Sequence, residues 1–162
     1  MHMKQLTIVR HAKSSWEAGI LNDYDRVLNT RGHEEAKAMS GLLKQKNIIP
    51  QHLISSTAIR AFTTASYFAT ALDIAIADIE KQTHLYNAPL KHYIDVVTNA
   101  SDDFESIAVF GHNPGITDFV NSLTNKQLIE MPTCGVFVVE INCKSWKDFA
   151  KAKKVFIDFL QP

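Results

Sequence analysis

The feature that most constrains this chain is a junction it uses three times: a short apolar strand stops at polar residues and a helical pattern follows. Leu6-Thr7-Ile8-Val9 reads as a buried strand and ends at Arg10-His11. His52-Leu53-Ile54-Ser55-Ser56 is a second strand, handing over at Ser56-Thr57 to a helix with Ala61, Ala65, Phe68 and Leu72 on its apolar face. Ser106 to Phe110 is a third, closed by Gly111-His112-Asn113-Pro114-Gly115, after which Ile116, Phe119, Val120 and Leu123 share one helical face. Strands alternating with helices predict an α/β fold with a mainly parallel sheet. In such sheets ligands sit outside the carboxyl ends of the strands.

The other segments fit this frame. Residues 17–29 are polar and irregular. Thr30 is the expected N-cap of a helix with Glu34 and Glu35 in its first turn and Ala36, Met39 and Leu43 inside, running to about residue 47 before Pro50. A weaker strand is expected near residues 76–81. Pro89 fits a helix start, with Ile94 and Val97 following, and Asn113 and Pro114 fit a cap and first helical position. Gly135 to Ile141 and Val155 to Leu160 read as final strands. The 162 residues suffice for one domain, 1–162, with a real core.

Acids and bases balance, 17 against 17, which argues against nucleic-acid or membrane-surface binding. No apolar run is long enough to span a bilayer, and the N-terminal one is too short for a signal peptide. Cys134 and Cys143 have no metal-type spacing and are expected to be reduced thiols, in a cytoplasmic setting. Lys147, Lys151, Lys153 and Lys154 read as a solvated face. The oligomeric state is left open.

The three junctions converge chemically. The first supplies Arg10 and His11, the second Arg60 in the first turn of its helix, and the third His112. Two arginines and two histidines therefore fall at one sheet edge, where helix N-termini also point. A phosphoryl group gives these residues a common purpose. Arginine's fork matches phosphate oxygens. A neutral imidazole is a competent nucleophile near pH 7, and a second, protonated imidazole would stabilise the transferring group.

Arg10-His11, Arg60 within "SSTAIRAFTTA" and His112 within "VFGHNPG" resemble the histidine phosphatase superfamily, the branch shared with phosphoglycerate mutases. The chain's length, "RHAKSSW", "LNDYDRVLNTRG" and "GHNPGI" are most similar to its SixA-type phosphohistidine phosphatases. The resemblance implies a three-layer α/β/α sandwich, phosphoglycerate mutase-like, with a mostly parallel central sheet. It implies His11 as nucleophile through a phosphohistidine intermediate, Arg10 and Arg60 holding phosphoryl oxygens, His112 completing the pocket, and no metal or organic cofactor.

Some positions depart from that pattern. Ala12 stands where many relatives have glycine, and Glu17 follows Trp16 where mutase-like members place an asparagine. The region 84–89, where larger relatives carry a glutamate general acid, holds no carboxylate. Asp23, Asp25 and Glu17 are the remaining candidates, each better read as a surface or capping residue. Without an acid, an imidazole leaving group is easier to expel than an alkoxide. Only about 35 residues separate the Arg60 helix from Gly111, too few for a lid. A shallow, open site is therefore expected, acting on a phosphohistidine-bearing protein. The alternatives are a small-molecule phosphomonoesterase of the same superfamily and a non-catalytic phosphate-binding module.

Overall fold

Strands that are apolar on both faces need a sheet covered on both sides, and the computed structural model, which describes every residue except Met1, Glu17, Ala18 and Leu21, has that form. In chain order the main elements are β1 (Met3–Arg10), α1 (Thr30–Gln45), β2 (His52–Ser56), α2 (Ile59–Ala71), β3 (Glu80–Gln82), α3 (Leu90–Thr98), β4 (Ser106–Gly111), α4 (Gly115–Leu123), β5 (Val136–Asn142) and β6 (Lys154–Leu160). The strands form one sheet in the order β3-β2-β4-β1-β5-β6. β3, β2, β4 and β1 are mutually parallel, and β5 runs antiparallel to both β1 and β6.

Period-two alternation sorts the strand side chains into two cores. Leu6, Ile8, Ile107, Val109, Phe137 and Val139 pack against Tyr93 and Val97 of α3 and Ile116, Phe119 and Val120 of α4. Val9, Ala108, Phe110, Val136 and Val138 pack against Ala36, Met39 and Leu43 of α1 and Ala65, Phe68 and Ala69 of α2. Helices on both faces make an α/β/α sandwich, as the alternating pattern requires. Cys134 and Cys143 are free, one in each core. Lys147, Lys151 and Lys153 are exposed, whereas Lys154 donates to the carbonyls of Phe149 and Ala150. Among the described residues no helix is long and apolar enough to cross a membrane.

Three local expectations change. The N-cap of α1 is Asn29, extended at φ −82° and ψ 178°, whose side chain accepts from the Gly32 N–H; Thr30 already lies inside the helix. Lys13 O accepts from Asn29 N–H at 3.0 Å and would meet a Cβ on Gly32 at 2.0 Å, so glycine lets α1 begin against the loop that follows β1. The strand expected at 76–81 shortens to β3, because residues 76–78 close a 3-10 turn with Asp78 and Ile79 bonded back to Ala75 and Ile76. Asn113 does not cap α4. Its carbonyl accepts from Thr117 Oγ1 at 2.6 Å, and its amide donates to Glu130 Oε1 and Met131 O, both at 3.1 Å. The side chain thus ties α4 to the 124–135 loop.

Candidate active site

Parallel register builds the site. Arg10 pairs with Gly111, so His11 and His112 leave the sheet side by side, and His11 N–H donates to Gly111 O at 3.1 Å. Their ring centroids are 5.1 Å apart. β2 flanks β4 on the other side, and Ser56 at its end places Oγ 2.8 Å from His112 Nε2. One turn later, Arg60 directs Nε–H at His11 Nε2, 3.3 Å away. Arg10, His11, Arg60 and His112 therefore share one pocket, of about 380 Å³, with Lys13, Ser14, Asp23, Arg26, Asn87, Asn113 and Thr133 completing the wall.

The two imidazoles are held differently. His11 Nδ1 lies 2.7 Å from Ala12 O. A carbonyl only accepts, so Nδ1 carries the proton and Nε2 keeps a lone pair. Ala12 is fixed in turn by its N–H to Thr64 Oγ1 at 2.9 Å, and Thr64 donates to Arg60 O at 2.8 Å. His112 is clamped through its backbone: the buried Tyr93 hydroxyl accepts from His112 N–H at 3.0 Å and lies 3.2 Å from His112 O, to which it donates. Gly111 makes room for this clamp, since a Cβ there would meet Tyr93 Oη at 2.2 Å.

Burial, opposed by the Ala12 bond but reinforced by Arg60, Arg10 and Arg26, pushes His11 down to about 3. Burial, then His11 and Arg60, push His112 down to about 3 as well. Both rings are neutral at pH 7 in the free protein. This corrects the protonated second imidazole expected from the sequence: burial first, then His11 and the guanidinium groups, disfavour a positive charge on His112.

Two of the cations, Arg60 and Arg26, are organised by one carboxylate. Arg60 donates from Nη1 to Asp23 O at 2.6 Å and from Nη2 to Asp23 Oδ2 at 2.9 Å. Arg26 donates to Asp23 Oδ1 at 3.0 Å and to Ser14 Oγ at 2.6 Å, and Tyr86 donates to Asp23 Oδ2 at 2.8 Å. Burial would raise the Asp23 carboxyl, but hydrogen bonds from Tyr86, Arg26 and Arg60 outweigh it and hold it at about 2. Asp23 is a pocket residue rather than a surface one, yet it is ionised and carries no proton to give near neutral pH. Asp25 is exposed and bonded to the Asn22 amide at 2.9 Å. Glu17 lies outside the described residues.

Arg10 donates to Met131 O at 2.7 Å and to Glu130 Oε1 at 3.3 Å. Among the described residues, Arg10 Nε, Arg26 Nε and His112 Nδ1 are buried without a protein partner. Spare donors and excess positive charge around a small cavity suit a tetrahedral oxyanion. The site is recessed rather than shallow: His11, Arg60 and His112 are almost fully buried, and Asp23 bonds across Arg60. Arg26, Ser14, Asn113 and Tyr86 escaped the sequence reading. The Asp23–Arg26 spacing of three within "NDYDR" was the one available signal, since it permits the ion pair seen here.

The sequence profile of the histidine phosphatase superfamily (branch 1) matches residues 6–86, a span that contains Arg10, His11, Asp23, Arg26 and Arg60. The chain belongs to this superfamily. It is a phosphatase with the phosphoglycerate mutase-like fold. A SixA protein from Agrobacterium tumefaciens superposes with a TM-score of 0.83 at 27% identity, with 98% of each chain covered. A protein histidine phosphatase SixA solved with tungstate shares the fold at a TM-score of 0.80 and 19% identity, with 96% of each chain covered. An uncharacterised protein of Mycobacterium tuberculosis (strain H37Rv) is 27% identical over 164 residues, 95% of this chain and 99% of that one. Near-complete mutual coverage places this superfamily member with the compact SixA type.

Proposed function

We propose that residues 1–162 act as a single histidine phosphatase domain that hydrolyses phosphohistidine on a protein, through a covalent phosphoryl intermediate on His11. The observation that carries this reading is a pair of protonation states in one pocket. His11 is neutral with its lone pair on Nε2, while Asp23, the carboxylate in the wall, is held ionised. Among the described residues, the pocket has a ready nucleophile, and the one carboxyl group lining its wall carries no proton to give a leaving group.

In the first step His11 Nε2 attacks phosphorus as the bond from phosphorus to the substrate imidazole breaks. The substrate ring carries a proton on its other nitrogen, so it departs with that electron pair as neutral imidazole and needs no proton from the enzyme. Arg60 Nε–H moves from His11 Nε2 to a phosphoryl oxygen, while Arg10, Arg26 and the His112 ring take up the remaining charge. A dianionic phosphoryl group favours the imidazolium form of His112, opposing the effect of burial and of the neighbouring His11 and Arg60. In the second step water attacks phosphorus, the P–Nε2 bond breaks, and orthophosphate leaves with His11 restored. The surrounding guanidinium groups oppose a metal cation, so turnover is expected to survive chelators. The tungstate held by a SixA relative supports an oxyanion-binding role for this fold.

The test is a leaving-group series at one pH, using a phosphohistidine protein, aryl phosphates of graded acidity and a sugar phosphate. Without enzymic proton donation, kcat/KM falls steeply with leaving-group basicity. The sugar phosphate trails phosphohistidine by about two orders of magnitude or more, the usual contribution of a general acid. A flat series would instead indicate a phosphomonoesterase with an effective acid.

A further inference from the structure

The wall of the pocket is polar throughout, made of arginine, histidine, lysine, serine, aspartate, asparagine and threonine side chains. Such a wall suits the phosphoryl group and offers little apolar surface to the rest of a substrate. Apolar surface lies instead just outside, on two separate loops. Ile129 is fully exposed, yet its loop is not loose. Leu128 exchanges two hydrogen bonds with the Asn121 side chain, both 2.8 Å. Glu130 meets Arg10 and Asn113, and Met131 N–H donates to Thr117 Oγ1 at 2.9 Å. The loop is pinned on both sides of Ile129 and leaves this β-branched apolar side chain exposed, one residue before Glu130, which bonds two residues that line the pocket. Trp16, 60% exposed, stands on the other loop with the Arg26 guanidinium 4.9 Å from its ring centre.

Scattered exposed apolar residues are ordinary on protein surfaces. Here, however, Ile129 is the chain neighbour of Glu130, which bonds Arg10 and Asn113, and Trp16 lies against Arg26; since Arg10, Asn113 and Arg26 all line the pocket, both stand near where anything attached to a bound phosphoryl group emerges. A free phosphorylated amino acid ends a few bonds from its phosphoryl group. A polypeptide continues past the mouth and presents neighbouring side chains to it. We propose that Ile129 and Trp16 form an apolar rim that grips the polypeptide carrying the phosphoryl group. The partner is a folded protein with a phosphohistidine on a surface that also bears apolar side chains. Cationic walls capture the dianionic phosphoryl group, and the rim supplies contact area that the walls lack. This inference rests on the phosphohistidine reading above.

The experiment compares wild type, Ile129→Ser and Ile129→Leu on two probes: a histidine-phosphotransfer protein phosphorylated with phosphoramidate, and free phosphohistidine. Ile129→Ser is expected to lower kcat/KM on the phosphoprotein about tenfold, the size of one well-covered aliphatic contact. Free phosphohistidine should be hydrolysed as by wild type, which also reports an intact pocket, and Ile129→Leu should restore most of the loss. Unchanged turnover of the phosphoprotein by Ile129→Ser would overturn the rim. So would an equal loss on both probes, which would mean that Ile129 acts through the pocket. Failure of the wild type on the phosphoprotein, with free phosphohistidine or aryl phosphate still cleaved, would remove the protein-substrate reading itself, an outcome visible before any variant is made.

Discussion

At the scale of single residues, the site is governed by what neutral imidazoles gain from burial among arginines. His11 and His112 titrate near 6.5 in an unfolded chain and near 3 in the folded one. Between these values the unfolded chain binds more protons, so stability is fully present above pH 6.5 and is lost as pH falls toward 3. At pH 5 each ring costs about 2 kcal/mol. Denaturant unfolding from pH 8 to pH 5 is therefore expected to show a marked loss in wild type and a smaller one in His112→Asn, which no longer titrates. Parallel curves for the two proteins would show that His112 is not held neutral by the fold. Asp23 works in the opposite charge state within the same window. Its carboxylate, held at about 2, stays ionised throughout and keeps Arg60 aimed into the pocket.

At the scale of elements, the β4–α4 junction shows how backbone geometry serves chemistry. Gly111 leaves space for Tyr93 of α3, and Tyr93 fixes both backbone polar groups of His112. Removing that hydroxyl leaves the buried His112 N–H without its partner, while the His112 carbonyl keeps the Ile116 N–H at 2.9 Å, so Tyr93→Phe is expected to cost about 1–3 kcal/mol of stability. It should lower kcat more than it raises KM, because in the proposed mechanism His112 acts chiefly on the transferring group. Thermal melts and steady-state kinetics read the two effects; an unaltered melting temperature with unaltered kcat would contradict the clamp. The three strand–helix junctions were legible in the sequence because apolar runs, helical periodicity and the abrupt Arg10-His11 and Gly111-His112 endings are local signals. The Tyr93 clamp was not, since Tyr93 and His112 belong to different elements and meet only through packing of α3 against α4. The cap of α1 moved to Asn29 because asparagine and threonine are both good caps, and only the extended backbone at Asn29 separates them.

At the scale of the whole molecule, a chain with no net charge concentrates Arg10, Lys13, Arg26 and Arg60 around one cavity. Parallel register sets this concentration, because it aligns the ends of β1, β4 and β2. The pairing of Asp23 with Arg60 and Tyr86 spans 37 and 63 residues, and no pattern within either segment announces it; this is why a residue expected at the surface proved to line the site. The central claim is that phosphorus passes through His11. It is tested most directly by mixing enzyme with ³²P-labelled phosphohistidine protein, quenching within one turnover and mapping the label. The account predicts label on His11 that is stable in base and lost in acid, absent in His11→Ala along with turnover, while His11→Ala keeps the wild-type fold. Turnover by His11→Ala, or label on any other residue, would contradict it.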